Sequence, residues 1–364
     1  MTRADREPMA GVECPGPHQI YRRPRLSVEE RALGSVPTGH ARIEMQLVGI
    51  CGSDLRVVQC DAATGYLLGS TPLEIGPEGR VLGHEGIGRV REVGSEVAGI
   101  RRGDWVAFDS LEACHRCEAC RKGYFNQCVN AVLVGMQRDG LFVEVVDLPA
   151  QLVHDVSDLA TSEPGRWAAA CIEPAACSLV ALSLARVRPA DDVLIFGAGP
   201  IGLFAAMLSR LMFGAASVQV VEPLPFRREF ARRWADRVCD VEEFFAEPVW
   251  RPADVLIEAS GELGNVDRAL LRLSPNGRIV LLGRSGMPLT LQRVDHVITN
   301  NLSIIGSRGH LGGAVGDLLR LYRNARLPLH DAVTGVVHGL DGLKCALEEP
   351  ATLVGRHCKV LAQL

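Results

Sequence analysis

No stretch of the 364-residue chain approaches ~18 uninterrupted apolar residues, which excludes an ordinary transmembrane helix. The opening run Met-Thr-Arg-Ala-Asp-Arg-Glu-Pro is polar and lacks the apolar core of a secretory signal. Positive charge is not in excess. A formal net charge of −4 gives no electrostatic reason to invoke nucleic acid or a membrane surface. Aromatic residues make up only 5%, too few for base-stacking platforms. Internal repeats and low-complexity tracts are also missing. What remains is an ordinary soluble composition, 47% hydrophobic and 23% charged, long enough for two or three domains. Twelve cysteines without a secretory signal fit a reducing cytoplasm, where thiols hold metals or pack. Cys14, Cys60, Cys239, Cys345 and Cys358 are isolated in sequence and are expected in or near the core.

The first half reads as rich in strands and loops. Ala41–Val48 alternates apolar Ala41, Ile43, Met45 and Leu47 with Arg42, Glu44 and Gln46, the pattern of a half-buried strand. Gly and Pro punctuate Gly65–Gly83, predicting a long surface loop. Val81–Arg101 sets glycines between short Val/Ile runs, as in a strongly bent small barrel. The rhythm changes near Glu163–Trp167. Beyond it, strands at Val193–Phe196, Ser217–Val221, Asp254–Ile257, Arg278–Leu282 and Ser303–Ile305 alternate with helical stretches, among them Pro200–Met212 and Pro225–Trp234. That alternation predicts a parallel sheet with helices on both faces. An amphipathic helix over about Ala314–Arg323 leads into a short α/β tail.

Four cysteines, Cys114, Cys117, Cys120 and Cys128, crowd into one short stretch. Two overlapping C-x-x-C steps and a fourth thiolate suit a closed tetrahedral zinc site, which does no chemistry and marks a scaffold. Iron–sulfur ligation or a redox disulfide pair are the other readings of such a run. Further on, Gly197-Ala-Gly199-Pro200-Ile201-Gly202 places G-x-G-x-x-G directly after a strand and at the start of a helix. Gly197 permits the tight turn, Gly199 lets backbone approach a pyrophosphate, and Gly202 lets helix and strand pack. The helix N-terminus offers free N–H groups to the phosphates. Glu222, at the end of the second strand, is placed to accept the adenosine ribose hydroxyls and to repel a 2′-phosphate, favouring NAD over NADP. Arg227 and Arg228 lie just beyond and are within reach of a 2′-phosphate.

Two further ligand candidates lie upstream: Cys51 in Gly-Ile-Cys51-Gly-Ser53-Asp54, and His84-Glu85 in Gly-His84-Glu85-x-x-Gly88. With Val-Gly94-Ser-Glu-Val, Gly103-Asp104-Trp-Val, the cysteine run and the Gly-rich turn, the chain resembles the zinc-dependent medium-chain dehydrogenases, from about Ile43 to its end. The first forty residues match poorly. The resemblance implies an α/β fold in which a bent, β-rich, GroES-like catalytic domain (1–165) is joined to a doubly wound Rossmann domain (166–310). A segment 311–364 would return to the catalytic domain.

The resemblance also implies two zinc ions per chain, one structural at the four cysteines and one catalytic. Cys51 and His84 would hold the catalytic zinc, with Glu85 a direct or interchangeable ligand. Glu173, in Cys-Ile-Glu173-Pro-Ala, falls where the polyol and sugar branch has a glutamate, and would bind directly or through water; Cys171 is a weaker candidate. Ser53 would take the substrate hydroxyl proton, and Asp54 would orient the His84 imidazole. A substrate alkoxide would then pass hydride to the nicotinamide across an interdomain cleft.

Two departures bear on substrate. Where many members carry a relay histidine, this chain has Arg56, which stays protonated. Either the relay ends at cofactor ribose and water, or Arg56 grips an anionic substrate group. The Cys51-to-His84 interval is also longer than usual, with Asp61–Arg80 as the excess. The expected activity is oxidation of a secondary alcohol, on a sugar, polyol, cyclitol or amino-cyclitol. A threonine-type amino-alcohol dehydrogenase and a non-catalytic member that keeps only the Cys₄ zinc are the alternatives. A small-molecule substrate, a homo-oligomer (dimer or tetramer), no nucleic-acid or membrane partner, and a cytoplasmic location complete the expectation.

Overall fold

The computed structural model describes residues 1–309, 313–325 and 327–364. The chain divides into two compact units. The first comprises Met1–Glu173, Val315–Val354 and Lys359–Leu364, and the second Pro174–Ala314 with Gly355–Cys358. The division falls within the helix Ile172–Leu184. The expected break at 310/311 lies on residues outside those described.

The first unit is organised on a seven-stranded sheet around the long strand His40–Ile50. Along its first half Ala41, Ile43 and Met45 are buried while Arg42, Glu44 and Gln46 are half-exposed, the alternation of a strand with one wet face. From Leu47 onward every residue is buried. There the strand runs antiparallel to Lys359–Gln363 on one side, with Val360 opposite Ile50, and to Gly86–Val93 on the other, with Val48 opposite Gly86. These registers bring residues 49–51, 85 and 359 to one place.

Ahead of this sheet, Thr2–Arg6 and Tyr21–Leu26 form an antiparallel pair. The stretch expected as a surface loop, Gly65–Gly83, is not simply superficial: Leu67, Leu73, Val81 and Leu82 are buried in the core of this unit with Tyr21 and Leu55. Glycine and proline set its turns, but four of its scattered apolar residues reach inward, while Leu68 stays exposed.

The second unit contains a six-stranded parallel sheet. Its spatial order is Arg237–Cys239, Ser217–Val221, Asp192–Phe196, Ala253–Glu258, Leu273–Leu281 and Ser303–Gly306. In chain order this is 3-2-1-4-5-6, the doubly wound arrangement whose order reverses beside the first strand. Every residue of Ser217–Val221 is buried, as the strands of a sheet covered on both faces must be. The helix expected to end at Trp234 stops at Ala231.

Among the isolated cysteines, Cys239 and Cys358 are buried, but Cys14, Cys60 and Cys345 are exposed, against expectation. Cys345 shows why. Its helix, Gly339–Glu348, buries Leu343 and Leu347, one turn apart, and that spacing turns Cys345 to the outer face.

Candidate active site

Cys51 ends the central strand and caps the helix Gly52–Val58. Its backbone N–H donates to Asp54 Oδ2 at 3.0 Å, and its carbonyl accepts the Asp54 N–H at 3.1 Å. Asp54 is fully buried, and its Oδ1 accepts from the Gly83 N–H at 3.3 Å and stands 3.6 Å from His84 Nδ1. One carboxylate therefore clamps the Cys51 corner to the Gly83–Glu85 turn. The ligand atoms of Cys51, His84 and Glu85 lie within 4.8 Å of one another.

The fourth member of this cluster escaped sequence reasoning. Lys359, 1% exposed, donates from Nζ to the Ile50 carbonyl at 3.0 Å and to Glu85 Oε1. Burial pulls its pKa down, but the Glu85 carboxylate outweighs this and leaves it above the ordinary lysine value. Gly49 is what admits the pair: a Cβ there would sit 2.8 Å from Lys359 Nζ and 2.9 Å from Glu85 Cδ. The signal in sequence was slight, a single lysine opening the otherwise apolar Val-Leu-Ala of the last strand.

The donor set fits zinc. A thiolate, an imidazole and a carboxylate converge in a buried corner. Glu85 Oε2 is buried with no hydrogen-bond partner among the described residues, an oxygen that a cation would satisfy. Glu173 stands beside this trio, 7% exposed, near enough for its charge to act on Glu85, and its Oε1 accepts the Ser110 hydroxyl at 2.6 Å. Burial pushes the Cys171 thiol up to about 12, keeping it a neutral packing group. Ser53 and Arg56, both half-buried, lie one turn apart on the helix Gly52–Val58.

The four-cysteine run closes as its spacing predicts. All four Sγ atoms lie within 4.8 Å of each other, and Cys117 Sγ is 3.8 Å from Cys128 Sγ. A tetrahedron with Zn–S bonds of ~2.3 Å has edges of ~3.8 Å, whereas a disulfide needs ~2.05 Å. Backbone N–H groups, first that of Arg116, and the Asn130 amide point at Cys114 and bring its thiol down to about 5. These donors stabilise a thiolate before any metal arrives.

In the second unit Gly197 adopts φ +92°, and a Cβ on Gly202 would lie 1.9 Å from the Gly197 carbonyl oxygen, so turn and helix meet only because both are glycine. Pro200 opens the helix Pro200–Leu211, and the Ile201 carbonyl accepts the Ser178 hydroxyl at 2.8 Å. Beside the turn is a cavity of about 330 Å³ lined by residues that include Gly197, Gly199, Glu222, Leu224, Arg227 and Ser260. The Glu222 carboxylate, 3% exposed, accepts from the Ala198 N–H at 2.6 Å and the Leu224 N–H at 3.0 Å, which leaves lone pairs on both oxygens. The two arginines separate. Arg228 is spent on the Glu222 and Pro223 carbonyls, while Arg227 lines the cavity near Gly199.

Known families match both parts of the chain. Residues 37–158 match the family model of the alcohol dehydrogenase GroES-like domain, and residues 200–322 that of the zinc-binding dehydrogenases. The L-threonine 3-dehydrogenase of Pyrococcus horikoshii is 31% identical over 318 residues, covering 85% of this chain and 87% of that protein. The Arthroderma otae protein named Probable D-xylulose reductase A is 29% identical over 332 residues, covering 87% and 89%. A solved Escherichia coli CFT073 structure, described as a short chain alcohol dehydrogenase complexed with NADH, superposes with a TM-score of 0.81 at 25% identity, covering 96% of this chain and 97% of that one.

The fold and its two ligand clusters thus define a zinc oxidoreductase that works on CH–OH groups with a nicotinamide dinucleotide. The chain belongs to the zinc-binding alcohol dehydrogenase family, with a GroES-like domain and a Rossmann-type domain. The family models begin only at residue 37.

Proposed function

We propose that the protein oxidises the secondary alcohol of a polyhydroxylated small molecule (a sugar, polyol, cyclitol or amino-cyclitol) to a ketone, with NAD as the hydride acceptor. The observation that carries the reading is the convergence of half-buried Cys51 with buried His84 and Glu85, one Glu85 oxygen having no hydrogen-bond partner among the described residues. Zinc held there supplies a Lewis acid that lowers the pKa of a substrate hydroxyl. Cys51, His84 and Glu85 hold the ion, and Glu173 completes the set directly or through water. Ser53 takes the hydroxyl proton. Asp54 fixes the Cys51 and His84 corners relative to each other and touches no reactant.

In the second unit, Gly197, Gly199, Pro200, Ile201 and Gly202 form the pyrophosphate turn, Glu222 receives the adenosine ribose, and Arg227 flanks it. The Glu222 carboxylate disfavours a 2′-phosphate and supports NAD over NADP. Cys114, Cys117, Cys120 and Cys128 hold the structural zinc. The working domains are residues 1–165 with 311–364, and 166–310. No single helix among the described residues is long and apolar enough to cross a membrane. The four cysteines of the structural site, none in a disulfide, suit a reducing cytoplasm, and a dimer or tetramer is the expected assembly.

A panel of polyols, sugars, cyclitols and amino alcohols with NAD⁺ or NADP⁺, followed at the NADH absorbance before and after chelation, tests the reading. Turnover of a polyhydroxylated alcohol that chelation abolishes is the expected result; a silent panel overturns it. The similarity to an L-threonine 3-dehydrogenase supports one second reading, an amino-alcohol substrate, and the same panel separates the two.

A further inference from the structure

Arg56 stands out by its surroundings. Most arginines of the adjoining N-terminal segment and loop are paired: Arg3 with Glu29, Arg22 and Arg23 with Glu7, Arg25 with Asp5, and Arg31 and Arg80 with Asp139. Arg56 is half-buried, yet its guanidinium makes no hydrogen bond or ion pair among the described residues. Partial burial takes hydration from a cation without returning a counter-charge, an arrangement that favours any anion able to reach it.

The helix that carries Arg56 is held rigidly. Leu55 and Val57 on the same helix are buried in the core with Tyr21, Leu67 and Leu73. Tyr21 belongs to the strand Tyr21–Leu26, whose backbone is tied to the extra loop: the Leu67 N–H donates to the Tyr21 carbonyl at 3.0 Å, and the Arg23 N–H to the Gly65 carbonyl at 3.0 Å. The loop in turn grips the end of the helix. The Leu68 N–H donates to the Gln59 carbonyl at 3.1 Å, and a Cβ on Gly69 would lie 3.3 Å from the Arg56 carbonyl oxygen. The residues ahead of the family match and the long interval after Cys51 therefore form one buttress behind Arg56.

On the helix, Arg56 follows Ser53 by three residues, about 4.5 Å along the axis and on the same face. Cys51 caps the same helix. A molecule whose hydroxyl lies at Ser53 and whose chain runs along the helix brings its next groups to the guanidinium.

We propose that Arg56 selects the substrate by binding an oxyanion, a phosphate or carboxylate, carried by the alcohol a few bonds from the carbon being oxidised. This rests on the polyhydroxy-alcohol reading above and narrows it to phosphorylated polyols or sugar acids. Guanidinium matches both oxyanions bidentately, and its hydrogen bonds to a charged group are worth about 1.5–3 kcal/mol, or about 10- to 150-fold in affinity.

The test compares sorbitol with sorbitol 6-phosphate and with gluconate on the zinc-loaded wild-type, Arg56→Lys and Arg56→Gln enzymes. Wild type prefers one of the anionic compounds in kcat/KM, and Arg56→Gln collapses that ratio 10- to 150-fold, mainly through KM. Arg56→Lys falls in between, because a point charge replaces a fork. Calorimetric titration of the preferred anion reads the same loss as binding. Phosphate preference and carboxylate preference are distinguished by which arm wins. An unchanged ratio in Arg56→Gln overturns the proposal while leaving the alcohol-dehydrogenase reading intact. So does a loss that appears as a raised KM for NAD⁺, which would put Arg56 on the cofactor. If wild type turns over none of the three, and none of the wider panel, the functional reading itself fails.

Discussion

Replacing Lys359 by methionine removes a buried ammonium at nearly constant volume and strands the Glu85 carboxylate. Glu85 and Lys359 are each 1% exposed, and Glu85 Oε2 has no hydrogen-bond partner among the described residues. Breaking a buried ion pair from one side costs about 3–5 kcal/mol. The upper half of that range applies here, because the Ile50 carbonyl loses its Nζ donor at the same time, worth ~1 kcal/mol more. The folded-to-open ratio of the first unit should then fall roughly 700- to 4,000-fold. Native-state amide exchange in the strand His40–Ile50, measured on metal-free protein, reads this directly. Adding zinc should recover part of the loss, because the cation gives Glu85 a new counter-charge. The double variant Glu85→Gln/Lys359→Met should recover most of it without metal, since an amide carries no charge to strand. Unchanged exchange in the single variant would refute the reasoning, as would a double variant no better than the single one.

Other outcomes follow from the same geometry. Gly49→Ala drives a Cβ against Lys359 Nζ and Glu85 Cδ, and should cost about 1–3 kcal/mol and weaken zinc at the Cys51 site, read by chelator competition. Cys120→Ser should lower the zinc content from two ions per chain to one and destabilise the first unit, seen by metal analysis and thermal unfolding; two retained ions would contradict the assignment of the cluster. Glu258, fully buried at the end of a central strand, has its pKa raised above the ordinary glutamate value, first by burial. Its folded form holds a proton that the unfolded chain has released, so stability is fullest below the unfolded pKa of ~4.5 and declines as pH rises through the folded value. Glu258→Gln should abolish that decline, as denaturant midpoints between pH 4 and 8 would show, because Oε1 retains its acceptor role toward the Ser260 and Gly261 N–H groups.

Local features were readable in the chain. The turn Gly197–Gly202 and the run Cys114–Cys128 are each built by residues a few positions apart, so spacing alone carries their geometry. Five of the six parallel strands of the second unit were readable because each is a short apolar run between turns; the three-residue strand Arg237–Cys239, which opens on a charge, was missed. Lys359 was not readable in this way. Its partner lies 274 residues earlier, and the two meet only through the register of Lys359–Gln363 on the central strand, which no local pattern encodes. Ser110, which holds Glu173, was missed for the same reason. The loop Asp61–Arg80 was recognised as extra, but its task of anchoring the N-terminal strands depends on hydrogen bonds between backbone groups, to which side-chain patterning is blind.

The 274-residue separation of Glu85 and Lys359 has a consequence in time. A ribosome adding ~5–20 residues per second makes the lysine roughly 15–55 s after the glutamate. The contiguous segment Pro174–Ala314 emerges whole within that interval, free to build its sheet. The first unit must wait, with a carboxylate it cannot bury until the final strand arrives. A chain released early would carry every zinc ligand and still be unable to close around them.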